Sequence, residues 1–434
     1  MKIPNLKQLA RERLSPTAFF LLLVCFFEAL SLIIAFAMPE RGLADLLFAN
    51  RENSFMDYFH SIMAFKRHSL KNIYYSEQLF YPPLATLFYL IMFRLIPSDA
   101  MPSTDFIARE RQAAVVPFLI FTVLLSLGVV YVLHALRKGT DLEKKLFAVS
   151  MMLSAPMLYQ YDRGNIIFLA LFFSLLFFYW KDSESRLKRE LALVCLAISA
   201  GLKIYPAIFG LILLFEKRWK DAAKCCLYGS LSFVLPSLVF GGVSPFDMIE
   251  NLSRMSNNTQ GEGFGYKVNY SNTFAMLCSA FRIPYIQAPL TVLSYLLSAL
   301  VLAAAFVHRK GWKLVCALSL LIVAMPGFSY TYTLIFMIVP TLFFLNECRG
   351  TPPCAQNYVY SFLFVCCFAP LPFTGIIYSH YYHGYPLTVS SFAESMAVLF
   401  LSLMLIGEAA VRLWGICSTR LAHRHASPSS DPQV

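Results

Sequence analysis

Apolar runs long enough to cross a bilayer recur along this chain from Ala18 to Trp414. A spanning helix needs on the order of 20 predominantly apolar residues. The runs fall at about 18–38, 113–136, 146–160, 166–180, 191–215, 225–240, 286–307, 313–328, 331–346, 357–378 and 391–415, with a shorter one at 83–96. In lipid every backbone N–H and C=O must be satisfied within the chain, which leaves helices and closed barrels. These runs are continuous rather than alternating, which argues against a barrel. Only 14% of the 434 residues are charged and 58% are hydrophobic, against about a quarter charged in a soluble domain. The sequence predicts an all-α polytopic membrane protein with roughly 10–13 membrane helices, re-entrant or half-helices included. Composition does not shift before the polar end, so residues 1–417 read as a single membrane-embedded domain and 418–434 as a disordered tail.

The net charge of +11 sits on Lys and Arg that flank the apolar runs, which points to cytoplasmic anchoring rather than nucleic acid. Lys2, Lys7, Arg11 and Arg13 precede a first stretch, Ala18–Met38, broken by Glu28. That stretch exceeds the h-region of about 7–15 residues in a cleavable signal and reads as a retained helix with its N-terminus inside. The clusters Arg137-Lys138…Lys144-Lys145, Lys181…Arg189, Glu216…Lys224 and His308-Arg309-Lys310 then read as cytoplasmic, and the 39–80 interval and Asp162-Arg163-Gly164-Asn165 as external. On that count 191–215 has basic clusters at both ends. It is predicted as two half-helices meeting at Lys203-Ile204-Tyr205-Pro206, where proline breaks the ladder. The same parity makes 83–96 re-entrant or juxtamembrane, unless 137–145 is external.

The polar intervals carry the candidate chemistry. Asp57 lies in the stretch opened by Pro39-Glu40 and closed by Tyr81-Pro82-Pro83, within a helical periodicity over 54–71. Phe55, Phe59, Ile62 and Met63 share one face, which predicts an amphipathic helix at the membrane surface. Asp57, beside Tyr58 and His60, is the leading general base, or else a solvated charge. Asp45 and Glu52 are weaker rivals, and Glu28 reads as a rival base or as a contact between helices. Asp162-Arg163-Gly164-Asn165 is a tight turn with Gly164 in an unusual conformation and Asn165 as a cap, or a polar-cavity motif, or both. Lys203 interrupts apolar sequence far from either charged end, so its ammonium needs water, a partner or an anion, snorkelling being the alternative. Arg109 and Arg111 are flank charges or a phosphate clamp. The stretch 241–285 reads as a long loop whose Asn251, Asn257, Asn258, Gln260, Tyr266, Asn269, Tyr270 and Asn272 suit a carbohydrate or simply water; Asn251, Asn257 and Asn269 open N-glycosylation patterns.

The eleven cysteines show no metal spacing, and only Cys348 and Cys354 share a loop short enough to pair. No phosphate-binding loop, dinucleotide fingerprint, zinc-protease motif or nucleophile elbow is present. A nucleotide-sugar fold has no soluble domain to occupy, so a sugar donor would be membrane-borne.

Taken in order, Asp57, Tyr81-Pro82-Pro83-Leu84, Arg163-Gly164-Asn165, Leu202-Lys203-Ile204-Tyr205-Pro206 and the Arg218-Trp219 flank resemble glycosyltransferase family 87. The resemblance covers about 39–220. It implies a GT-C-type helical bundle that transfers a hexose, mannose first, from a polyprenyl-phosphate carrier to a lipid or glycan acceptor at the outer face, with inversion. It makes Asp57 the base and places Lys203 first, with Arg109, Arg111 and Arg163, at the carrier phosphate. Tyr58, His60, Tyr81, Asp162, Asn165, Tyr205, Tyr266 and Asn269 are the expected pocket. No metal or other cofactor is called for, and no nucleic acid. Arg67, His68 and Lys71 make this outer stretch more basic than the family suggests, which leaves the acceptor open. The rival readings are a transporter or flippase of a lipid-linked sugar or other amphiphile, which needs Lys203 but not Asp57, and a non-catalytic membrane subunit, which needs neither.

Overall fold

The computed structural model describes residues 14–38, 54–76, 79–98, 111–258, 267–284, 286–327, 329–349, 352, 354–371, 376–377 and 387–426. Besides single turns, its helices are α1 (Pro16–Ala37), α2 (Met56–Arg67), α3 (Pro83–Arg94), α4 (Gln112–Leu136), α5 (Asp141–Leu153), α6 (Ala155–Arg163), α7 (Ile167–Trp180), α8 (Arg186–Leu202), α9 (Leu211–Phe215), α10 (Trp219–Ser237), α11 (Pro245–Asn258), α12 (Tyr270–Ala280), α13 (Gln287–His308), α14 (Gly311–Ala324), α15 (Ile338–Glu347), α16 (Ala355–Phe368) and α17 (Val389–Ala426). Segments of 3₁₀ helix at Tyr205–Gly210 and Thr331–Met337 lead into α9 and α15. The strand content among the described residues is one antiparallel pair, Ile376–Ile377 with Leu387–Thr388.

Local chemistry sets the helix ends. The Ser15 hydroxyl accepts from Ala18 N–H at 3.1 Å and starts α1, with Pro16 in the first turn. Thr140 and Glu143 form a reciprocal capping box on α5. The apolar run 357–378 stops being helical at Phe368, because Pro370 and Pro372 push the residues before them out of the helical region. Polarity did not end α17: it continues to Ala426, past the boundary expected at Ser418. Charge marks where a helix leaves lipid, whereas the first residue that opposes the helix is Pro428.

Contacts sort the helix ends into two groups. At one end Ser361 donates to the Pro16 carbonyl at 3.2 Å, Arg137 to Asn346 at 2.6 Å, Arg349 to Glu143 at 2.7 Å and Lys181 to Glu216 at 2.6 Å. At the other, Ser31 donates to the Pro370 carbonyl at 2.6 Å, Phe55 N–H to Asp162 O at 2.5 Å, Asn269 to Gly327 O at 2.9 Å and Thr331 to Glu394 at 3.2 Å. Traced through these contacts, the described chain passes twelve times between the ends: α1, α4, α5–α6, α7, α8, the 205–215 arm, α10, α13, α14, the 331–347 arm, α16 and α17. Five of these, α1, α4, α10 with its 3₁₀ extension, α13 and α17, are individually long and apolar enough to cross a bilayer. The chain is an all-α, multi-pass integral membrane protein. The first end carries the basic clusters, which the positive-inside rule assigns to the cytoplasmic side, and the other is called the outer end.

This path corrects the two half-helices expected over 191–215. α8 rises to Lys203, which is extended at φ −144°, ψ 128°. Pro206 has no N–H to offer the Leu202 carbonyl. The 205–215 arm then turns back, so that Phe215 meets Phe306 at 5.0 Å and Glu216 meets Lys181. A hairpin, not a broken span, puts both basic clusters on one face. α3, with 12 residues, is about 18 Å long at about 1.5 Å per residue, short of a hydrocarbon core of about 30 Å. Phe93 near its far end rests on Phe65, and Phe65 meets Phe240 at the outer end of α10. α3 therefore stays at the outer end, the position expected for 83–96.

The surface helix expected over 54–71 is instead internal. Phe59, Ile62, Met63, Ala64 and Phe65 of α2 are buried against protein, chiefly α3. The amphipathic pattern was real, but its apolar face meets a neighbouring helix rather than lipid. The long loop expected over 241–285 is likewise mostly helical, as α11 and α12. Cys348 and Cys354 are not bridged to each other.

The two-ended path is checked by thiol labelling in intact cells. With the other cysteines removed, Ser69→Cys should react with a membrane-impermeant maleimide from outside, and Cys354 only after permeabilisation. Reaction of both from one side contradicts the path.

Candidate active site

The outer turn between α6 and α7 organises the site. Gly164 ends α6 at φ +66°, ψ 32°, a left-handed conformation that glycine adopts without a Cβ penalty. A Cβ there would lie 3.0 Å from Tyr58 Cβ and 3.3 Å from the Phe118 ring, so α2 and α4 can close on the turn only because it has no side chain. Asn165 Oδ1 accepts from Ile167 N–H at 3.0 Å, its own carbonyl accepts from Gln160 Nε2 at 2.5 Å, and the Tyr89 hydroxyl accepts from Ile166 N–H at 3.2 Å. Asp162 faces back along the turn: its carboxylate accepts from Ser54 Oγ at 2.6 Å and its carbonyl from Phe55 N–H. Phe55 sits at φ +58° immediately before α2. The turn thus fixes where α2 starts, and with it Asp57, whose place in the first helical turn suits a carboxylate.

Both Asp57 oxygens are held by that turn. Arg163 Nη2 donates to Oδ1, and Asn165 Nδ2 donates to Oδ2 at 2.7 Å and to the Tyr81 hydroxyl at 3.2 Å. Side-chain exposure is 20% for Arg163 and 15% for Asp57, so the pair is largely sheltered but reachable.

A cavity of about 510 Å³ opens on this cluster, within the size range of small-molecule sites. Asp57, Arg163, Tyr81, Lys203 and Tyr205 line it together with Phe80, Pro82, Ile204, Ile249, Leu252, Ser253, Pro326, Gly327, Tyr330 and Tyr332. Lys203 Nζ lies 4.3 Å from the centre of the Tyr81 ring, inside the range of a cation–π contact. Among the described residues that ammonium donates to no protein acceptor. Tyr159, Tyr332 and Tyr330 form a stacked row, with centroids 5.8 Å apart at each step and interplanar angles of 27° and 28°.

The remaining expected residues fall elsewhere. Tyr58 is buried in an aromatic cluster with Phe118, Phe59 and Tyr89, and His60 is exposed; neither lines the cavity. Asp162 acts as described above. Asn269 caps α12 through Asn272 N–H at 2.8 Å and ties Gly327. Asn251, in turn, spends its amide on the Tyr74 and Leu79 carbonyls at 2.9 and 3.0 Å. Both are buried, which removes them as glycan acceptors in the folded protein. Arg111 is exposed at the start of α4 and does not line the cavity. Glu28 is buried against Ser150 of α5. Arg109, Tyr266, Asp45 and Glu52 lie outside the described residues. The sequence reading missed Tyr330 and Tyr332. The available signal was Pro326-Gly327-Phe328-Ser329-Tyr330, a helix-breaking and polar interval between two apolar runs.

The mutual dependence of Asp57 and Arg163 is testable in detergent. Asp57→Asn and Arg163→Gln should be non-additive in thermal stability, with a coupling of about 0.5–3 kcal/mol. Simple additivity contradicts the pair.

A family model described as glycosyltransferase family 87 matches residues 79–329. The match takes in Tyr81, Arg163, Asn165, Lys203 and Tyr205 and begins after Asp57. No curated protein and no solved structure matches the chain. More than half of the sequence lies within the family match, and the chain belongs to glycosyltransferase family 87.

Proposed function

We propose that this glycosyltransferase moves a hexose, mannose first, from a polyprenyl-phosphate carrier to a hydroxyl of a lipid or glycan acceptor at the outer membrane face, with inversion at the anomeric carbon. The observation that carries the reading is that one cavity is lined by both the Asp57 carboxylate and the Lys203 ammonium. An inverting displacement needs a proton acceptor beside the incoming hydroxyl and positive charge beside the departing phosphate. The acceptor oxygen forms a bond to the anomeric carbon and its proton passes to Asp57. The bond from that carbon to the phosphate oxygen breaks, and its electron pair leaves on polyprenyl phosphate.

Arg163 and Asn165 fix the Asp57 carboxylate in two directions. A carboxylate oxygen accepts at two lone-pair sites, so each oxygen keeps one for a substrate hydroxyl. Lys203, resting on the Tyr81 ring, offers its N–H groups to the phosphate. The Tyr330 and Tyr332 faces suit the C–H side of a sugar ring, and Ile204, Ile249 and Leu252 give the first prenyl units an apolar wall. The volume fits a sugar-phosphate head with most of the lipid outside, in the membrane.

Two substitutions test these roles. Asp57→Asn should retain binding of the lipid donor while transfer, followed by mass spectrometry of products from a panel of polyprenyl-phosphate sugars, falls about 10²–10⁴-fold. Unchanged transfer by that variant would falsify the base assignment. Lys203→Met removes a charged donor worth about 1.5–3 kcal/mol and should weaken polyprenyl phosphate binding about 10–100-fold. Equal affinities contradict an anion site at Lys203.

A further inference from the structure

A second and larger cavity, about 1040 Å³, lies at the cytoplasmic end, a full membrane pass from the Asp57 site. α14 connects the two: it starts beside Trp312, at the cytoplasmic cavity, and ends at Ala324, two residues before Pro326 at the outer one. The wall of the larger cavity is partly apolar, with Trp312, Met404 and Val411, and partly charged, with Lys310, Lys313, Arg412, Glu347 and Glu408. Its charges are unequally engaged. Glu408 receives Lys313, Gln356 and the Tyr360 hydroxyl, the last at 2.5 Å, so the Lys313 charge is already answered. Lys310 and Arg412 are exposed and make no ion pair among the described residues, which leaves two unanswered cations facing the single carboxylate of Glu347. The wall is open at Gly407, where an added Cβ would meet nothing within 4 Å. The α17 face beyond it is apolar and exposed: Val411 is 74% exposed and Trp414 78%.

We propose that this cavity is a binding site for an anionic phospholipid of the cytoplasmic leaflet. Lys310 and Arg412 take the phosphate, Trp312 and Met404 take the glycerol and first acyl carbons, and the chains continue along the exposed face of α17. A cationic recess between membrane helices at the cytoplasmic end attracts anionic headgroups, and the guanidinium of Arg412 suits a phosphate. The site is separate from the one proposed for sugar transfer and does not depend on that reading.

The full-length protein is reconstituted in nanodiscs of phosphatidylcholine with increasing phosphatidylglycerol, then released and weighed by native mass spectrometry. Wild type should retain phosphatidylglycerol in preference to phosphatidylcholine. Lys310→Gln with Arg412→Gln should lose that preference at least tenfold. A control, Lys138→Gln with Lys220→Gln, removes two exposed cations from the same end and should keep it. Equal retention of the two lipids by wild type overturns the proposal, as does equal loss in both double variants, which is a general attraction of the basic end. Melting in detergent with inorganic phosphate separates the two sources of the ligand: stabilisation by phosphate alone, equal to that by phosphatidylglycerol, makes the ligand a free anion and overturns the lipid. Should the double variant unfold, Gly407→Leu, which fills the cavity without changing charge, takes its place and should show the same loss.

Discussion

The hold of Arg163 and Asn165 on Asp57 is the constraint from which the outer end of this protein follows. Two donors from one turn reach two oxygens of one carboxylate, and the same turn anchors Ser54 and Phe55 through Asp162. A helix of 12 residues, which alone would be marginal, is thereby fixed at its first residue and closed over a glycine with no room for a side chain. Removing either partner leaves a sheltered charge without its counter-charge, which is more costly than never having built the pair. The arrangement therefore stabilises the fold and aims the carboxylate at the cavity at once.

Opposite Asp57, the protein gives up helix continuity. α8 stops at Leu202 and α14 at Ala324, and both returning arms begin as 3₁₀ turns. Those arms touch each other, Tyr205 and Phe209 against Phe336 at 6.0 and 6.3 Å. Backbone that leaves the helical ladder at membrane depth is tolerated where it lines a cavity, and both breaks do. The first supplies Lys203 and Tyr205, the second Tyr330 and Tyr332. The polar groups that a substrate would meet are thus concentrated where the helices are interrupted, while unbroken segments between them stay apolar and packed.

Much of this was legible in sequence because it rests on strong local signals. Hydropathy located the helices. Pro206 announced the break that exposes Lys203, and Gly164 announced the left-handed turn that presents Arg163. What sequence could not supply was pairing at long range. The periodicity of Phe59, Ile62 and Met63 was visible, but a face meant for lipid and a face meant for α3 look alike in one dimension. Charge counting found basic clusters at both ends of 191–215 yet could not tell a broken span from a hairpin, because the answer lies in Glu216 reaching Lys181. The asparagines around 250–272 matched a sugar-binding composition, but Asn251 and Asn269 answer backbone carbonyls, a demand set by the folded neighbours. Tyr330 and Tyr332 were overlooked because the first sits between two apolar runs, where polar residues normally mark only a turn, and the second lies inside the next run, where a tyrosine reads as packing.

The position of a lipid-linked sugar relative to Asp57 and Lys203 decides whether this mechanism operates. A structure of the protein with a non-hydrolysable polyprenyl-phosphonate sugar addresses it directly. The phosphonate should lie within ion-pair distance of Lys203, and the anomeric carbon should present to Asp57 the face opposite its bond to the leaving group. A head group bound away from Lys203, or Asp57 found on the leaving-group side of the sugar, contradicts it.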